Sequence, residues 1–439
     1  MVEHIPHPSF REAFKFWLKL GFISFGGPTG QISIMHQELV ERRKWISNSR
    51  FLHALNYCML LPGPEAKQLA IYIGWLLHKT VGGLMAGSLF VIPSIFILLG
   101  LSSIYASYGK IPWVVAIFSG LKPAVTAIVA TAVINIGKKA LKNEFMIALA
   151  AGAFVAIFFF KVPFPAIILG AGLIGLLGGI YLPDKFLVIK GKEGDSEDGY
   201  VQYCEEAIPC HIEPSTKRSL FLILVFMALW IIPMGGLITL TSNEVFITAG
   251  LFFTKAAFLT FGGAYAALAY IAQAGVEQFA WLTGPQMIDG LGLAETTPGP
   301  LIMVVQFVGF MAGWNHPGSM NPFLAGLIGS LVATYFTFLP SFLFILLGGP
   351  YIEKIRGHKK LSAALSAVTA SVVGVVLNLA VWFGMQVLVP EPGIFNWFGL
   401  ALGVSAFITL QWGRIGMIPV ILGSAALGLL WNLWAFPIQ

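Results

Sequence analysis

The chain has 439 residues, 57% of them hydrophobic and only 10% charged, whereas a soluble globular domain carries roughly 25% charged residues. An ordinary soluble enzyme is excluded. The 26 Lys and Arg against 20 Asp and Glu give a net charge of +6, an excess expected in cytoplasmic loops rather than on a nucleic-acid surface. With a mean hydropathy of +0.82 and several apolar runs near the ~20 residues that cross a hydrocarbon core, the chain is expected to be an all-α polytopic membrane protein embedded in a lipid bilayer.

The N-terminus lacks a positive stretch followed by a clean apolar core and a small-residue cleavage site, so no removable signal peptide is expected. The first apolar segment, 10–25, gives way to Gly26-Gly27-Pro28-Thr29-Gly30, and the next, 51–61, to Pro62-Gly63-Pro64. Pieces this short cannot cross alone, so re-entrant half-helix hairpins are expected, with protein or an aqueous cavity around their irregular tips. Spanning segments follow at 82–105, 112–137, 144–160 and 163–182. The polar stretch from Asp184 to Arg218 cannot sit in lipid. Beyond it come a crossing at 219–240, two more interrupted regions, and spans at 322–349, 361–389, 394–411 and 415–434.

Set against itself at the offset from Gly26 to Gly262, the sequence repeats. Phe16, Lys19, Phe22, Phe25, Gly26 and Gly27 align with Phe252, Lys255, Phe258, Phe261, Gly262 and Gly263; Gln37, Glu41 and Trp45 with Gln273, Glu277 and Trp281; and Pro62-Gly63-Pro64 with Pro298-Gly299-Pro300. Further on the register drifts, with Pro93-Ser94 answering Pro340-Ser341 and Asn135 answering Asn378. The expected organisation is a first repeat over 1–183, a polar cytoplasmic linker over 184–218, a linking transmembrane helix over 219–243, and a second, inverted repeat over 244–439. Each repeat would hold two hairpins and about four spans. Basic residues at 42–44, 138–142, in the linker and at Lys354, Arg356, Lys359 and Lys360 fall on one side of this arrangement, which places the N-terminus in the cytoplasm.

Inverted repeats with matching Gly/Pro breaks place a transport site near the membrane midplane. A half-helix begins at each tip, and its unpaired N–H groups and positive dipole end favour an anion. Gly26, Gly27, Gly262 and Gly263 allow close backbone approach, Thr29 adds a hydroxyl, and Pro62, Gly63, Pro64, Pro298, Gly299 and Pro300 complete the tips. Simple kinks between packed helices are the alternative. The matched Lys19 and Lys255 suggest attraction of a negatively charged substrate, against snorkelling to an interface; Lys67 and Lys122 have no counterparts. Glu65 and Glu295, beside the breaks but not repeat-equivalent, could carry protons for coupling, or act as structural partners of a lysine. Gln68, Gln306, Asn135 and Asn378 are neutral hydrogen-bonding candidates. Cys204, Cys210 and His211 supply at most three ligands without the paired spacings of zinc sites, so free thiols are favoured. Neither a catalytic motif nor a phosphate loop occurs, and no cofactor, metal or nucleic-acid partner is expected.

Phe-Ile-Ser-Phe-Gly-Gly-Pro at 22–28, Pro-Gly-Pro at 62–64, Phe-Leu-Thr-Phe-Gly-Gly-Ala-Tyr at 258–265 and Thr-Pro-Gly-Pro at 297–300 closely resemble the chromate ion transporter family, in its long, two-domain form. The resemblance implies export of chromate across the cytoplasmic (inner) membrane, with sulfate as the related tetrahedral dianion. One departure is Glu65-Ala66-Lys67-Gln68 after the first Pro-Gly-Pro, where many relatives carry a small polar residue such as Thr. The expected function is a secondary transporter driven by an ion or proton gradient, since no ATP-binding motif is present. A passive anion channel is the runner-up and a membrane-embedded enzyme or scaffold the remote alternative. The oligomeric state is open, a homodimer included.

Overall fold

A computed structural model describes residues 7–186, 214–241, 243–351, 359–413 and 415–435. Cys204, Cys210 and His211, and the basic positions Lys354 and Arg356, lie outside the described residues. The described chain is helical throughout its regular elements. The first half forms α1 (Phe10–Ile23), α2 (Gly27–His36), α3 (Asn48–Cys58), α4 (Glu65–Leu89), α5 (Ile92–Tyr108), α6 (Pro112–Ala140), α7 (Glu144–Phe158) and α8 (Phe164–Tyr181). A linking helix α9 (Thr216–Leu240) follows. The second half forms α10 (Glu244–Leu259), α11 (Ala264–Ala272), α12 (Gly284–Thr296), α13 (Val304–Asn315), α14 (Pro322–Gly348), α15 (Lys359–Leu388), α16 (Trp397–Gln411) and α17 (Met417–Ala435).

Caps set the helix starts. Ser9 with Glu12 and Thr283 with Gln286 form reciprocal capping boxes at α1 and α12, and Ser47, Asn143, Asn243, Asn321 and Asn396 accept from first-turn amides. Among the described residues, seven helical stretches are long and apolar enough to cross a membrane, which makes the chain a multi-pass membrane protein. The segments at 144–160 and 394–411, expected as full spans, yield helices of only 15 residues, about 22 Å at 1.5 Å per residue. The break at Phe159 ends the first of them early, and the Asn396 cap starts the second late.

One turn has no glycine or proline to announce it. Within α4, His78 and Lys79 leave helical geometry, Lys79 at φ 54°, so the chain doubles back and lays Gly82 on Gly74. A Cβ at Gly74 would fall 2.5 Å from the Gly82 carbonyl, and one at Gly309 would fall 2.4 Å from that of Gly329. The same glycine-lined reversal therefore occurs in both halves, α13 turning into α14 as the start of α4 turns into its end.

The halves interlock. α15 packs along α6, α7 and α8 of the first half, while α6 packs along α16 and α17 of the second. Small residues let the backbones touch, with Gly120 against Ser424 and Gly428, Gly175 against Ala363 and Ala367, and Gly374 against Ala150. Where apolar lipid removes the hydrophobic drive for helix association, such close contact supplies dispersion energy instead.

Candidate functional site

The matched breaks meet at the centre of the interlocked halves. α1 ends at Ser24, whose hydroxyl donates back to the Leu20 carbonyl, and α10 ends at Thr260, whose hydroxyl donates back to Ala256. The chain then turns through Gly26 at φ 85° and Gly262 at φ 86°. Further along, Gly63 and Gly299 stand at φ 107° and 101°, a region that L side chains rarely adopt. Each of these two glycines donates its amide across to the other half: Gly63 N–H to the Thr260 carbonyl at 3.0 Å, and Gly299 N–H to the Ser24 carbonyl at 2.8 Å. The four broken-helix tips of this cluster are thus tied crosswise in two pairs, Gly63 with Thr260 and Gly299 with Ser24.

Matched aromatic pairs pack at the same ring angle in both halves. Phe16 meets Trp45 edge to face at 5.4 Å and 76°, and Phe252 meets Trp281 at 5.6 Å and 77°. Ser94, in the first turn of α5, donates to the Pro298 carbonyl, and its counterpart Ser341 lies beside Gly63. Pro62, Pro64, Pro298 and Pro300 are buried with these glycines. α2, α4, α11 and α13 all begin at or just after the cluster, so four helix N-termini, each equivalent to roughly half a positive charge, converge near it.

Polar side chains decorate this scaffold unequally. Gln31 of α2 donates to the Ser24 and Gly299 carbonyls, clasping tips of opposite halves. Gln68 donates to the Pro62 carbonyl at 2.7 Å, and Gln306 to that of Ile95 at 2.8 Å. A Cβ at Gly263 would lie 3.3 Å from Glu65 Oε1, so this carboxyl sits against the N-terminus of α11. In the first turn of that helix, the Tyr265 hydroxyl donates to Glu295 Oε1 at 3.2 Å. Two carboxyls therefore flank the first turn of α11.

Other candidates stand apart from these contacts. Lys19 and Lys255 are exposed on α1 and α10, Thr29 is exposed in the first turn of α2 beside the Gly26-Gly27 break, and Asn135 is exposed on α6. Asn378 lines a cleft with Lys161, Gln273, Glu277 and Trp382, where Lys161 Nζ is 3.9 Å from Glu277. Lys67 is buried against Phe338 and Phe342. Lys122 pairs with Asp289, Nζ to Oδ2 at 3.6 Å, and the Tyr105 hydroxyl donates to the same oxygen at 2.8 Å. Sequence reasoning passes over Asp289 because its repeat-equivalent position holds His53; the signal that could find it is a lone carboxylate within the apolar run Met-Ile-Asp-Gly-Leu. Among the described residues no three His, Cys, Asp or Glu gather as a metal site.

The chromate transporter family model matches residues 11–176 and 247–429. The chain is 27% identical to the chromate transport protein of Cupriavidus metallidurans, over 98% of this chain and 94% of that protein. It is 28% identical to the chromate transport protein of Pseudomonas aeruginosa, over 97% and 94%. A shorter uncharacterized transporter of Bacillus subtilis matches 31% of this chain and 69% of its own length, at 27% identity. No solved structure matches. A family model that covers both halves, with relatives matched along nearly their whole length, shows that this chain belongs to the chromate transporter family.

Proposed function

We propose that this protein carries chromate, or a related tetrahedral oxyanion such as sulfate, out of the cell across the cytoplasmic membrane. The reading rests on the crosswise bonds from Gly63 to Thr260 and from Gly299 to Ser24, which gather four helix N-termini contributed by both halves into one place suited to an anion. In this account the halves 1–183 and 244–439 insert with opposite orientations, joined by the 184–218 linker and the helix within 219–243. The tips are re-entrant, the N-terminus is cytoplasmic, and the tip cluster opens alternately to each side. Gly26, Gly27, Gly262 and Gly263 with the two Pro-Gly-Pro turns form the binding walls, and Gln68 steadies one of them. Lys19 and Lys255, at matched exposed positions, draw the anion toward the cluster from opposite sides. Glu65 and Glu295, beside the first turn of α11, exchange protons and couple oxyanion movement to the proton gradient.

Flux in proteoliposomes tests this. Saturable chromate movement that competes with sulfate and responds to an imposed pH gradient is the expected result. Linear, non-saturating flux indifferent to pH would mark a passive channel, and absence of any oxyanion flux would refute the transport reading.

A further inference from the structure

Lys67 lies in the first turn of α4, three residues after Pro64, and is 1% exposed. Its ammonium donates to the Phe338 carbonyl at 3.0 Å and stands 4.2 Å and 4.3 Å from the ring centroids of Phe338 and Phe342. That carbonyl lies in α14, two residues before Pro340 of the same helix. Among the described residues no carboxylate stands within ion-pair distance of Nζ. One carbonyl and two ring faces offset only part of the cost of withdrawing a full charge from water. Two of the three ammonium N–H donors have no hydrogen-bonded acceptor. The side chain is too deeply enclosed to snorkel.

The duplicated scaffold shows that the slot does not require a charge for packing. At the same offset that relates Gly63 to Gly299, Lys67 corresponds to Met303, itself 1% exposed. An unbranched neutral chain of similar length fills that equivalent position. Lys67 itself belongs to the first turn of α4, whose leading amides have no intrahelical acceptors, and the Pro62-Gly63-Pro64 turn that precedes it has Ser341 next to Gly63.

We propose that Lys67, rather than the repeat-matched lysines, is the fixed positive charge on which the transported oxyanion docks, the anion supplying the counter-charge that the protein withholds. The proposal rests on the transport reading above and narrows it to one residue. In it, the oxyanion meets Lys67 Nζ together with first-turn amides of α4, and the aromatic pair holds the ammonium in place while the site is empty.

Calorimetry on full-length protein in nanodiscs, with chromate, sulfate, molybdate and phosphate as probes, decides it. Lys67→Met copies the native Met303 and is expected to fold, judged by an unchanged elution profile and melting curve, with Lys67→Gln as a second neutral variant. Both should lose affinity for every oxyanion the wild type binds, by roughly 30-fold or more, the range for removing one partner of a buried charge pair. Lys67→Arg should retain more affinity than either neutral variant but change the ranking among the four anions, because its fork differs in shape. Neutral variants that bind like wild type would overturn the proposal while leaving the transport reading intact. A wild type that ignores chromate but binds another oxyanion through Lys67 would refute chromate as substrate and support the role of Lys67. A wild type that binds none of the four would overturn both.

Discussion

The two halves of the tip cluster share a backbone and differ in chemistry. Gly26 and Gly262, Gly63 and Gly299, Ser24 and Thr260, and the Phe–Trp pairs 16–45 and 252–281 repeat in angle, bond and contact. At the same offset Glu65 faces Leu301, Lys67 faces Met303, Thr29 faces Tyr265, Met59 faces Glu295 and His53 faces Asp289. Duplication preserved what helix ends and turns require, since those demands are identical in both copies. A single site shared by both halves, as proposed above, needs only one copy of each charged group, and a second buried charge would carry its own desolvation cost.

The largest way to break this comparison is to remove the Lys122–Asp289 ion pair, which joins the halves without a symmetric partner. Asp289→Ala leaves the partly exposed Lys122 without its counter-charge and should cost about 3 kcal/mol, the lower end for a broken buried pair. Thermal unfolding in detergent would measure it. Adding Lys122→Met should recover most of the loss, whereas equal destabilisation in single and double variants would show that the pair contributes nothing by its charge.

Next in size is the contest between matched glycines. An alanine at either Gly63 or Gly299 must adopt positive φ, at a cost of roughly 1–2 kcal/mol. At Gly299 the new Cβ would also clash with Ser94 Oγ, while at Gly63 the nearest atom is Gln68 Nε2 at 3.3 Å. Gly299→Ala should therefore lower the melting temperature more than Gly63→Ala, and Ser94→Gly should rescue part of it. Equal effects would mean that the two turns are supported alike.

Both glycines are legible in the amino-acid sequence, as are the tips and the duplication, because only Gly and Pro satisfy such turns and the offset between them is constant. Three features are not. The reversal at His78 and Lys79 uses residues with no turn preference, and is held instead by Gly74 packed on Gly82. The crosswise bonds join residues far apart in the chain. The Lys67 cage depends on α14 lying against α4. Ranking lysines by repeat symmetry favours Lys19 and Lys255, whereas the buried Lys67 has no charged counterpart at that offset.

A subtler test separates the two carboxyls at α11. Glu295→Gln and Glu65→Gln keep shape and hydrogen-bonding capacity but carry no titratable proton, so the rise of flux with an imposed pH gradient should flatten while basal binding persists. An unaltered gradient response in both variants would remove them as proton carriers. The smallest effect is expected at the surface: Lys19→Met or Lys255→Met should shift apparent affinity by less than about threefold, fading in high salt as exposed charges are screened. A larger, salt-resistant loss would place those lysines in contact with the substrate.

That both halves build one oxyanion site is tested most directly by locating the substrate. Crystals of the protein grown in lipid with chromate, with data collected at the chromium absorption edge, should show one strong anomalous peak in the core. It should lie among Gly63, Thr260, Ser24 and Gly299 and within reach of Lys67 Nζ. A peak confined to the outward faces near Lys19 and Lys255, or two separate peaks each within a single half, would contradict the account.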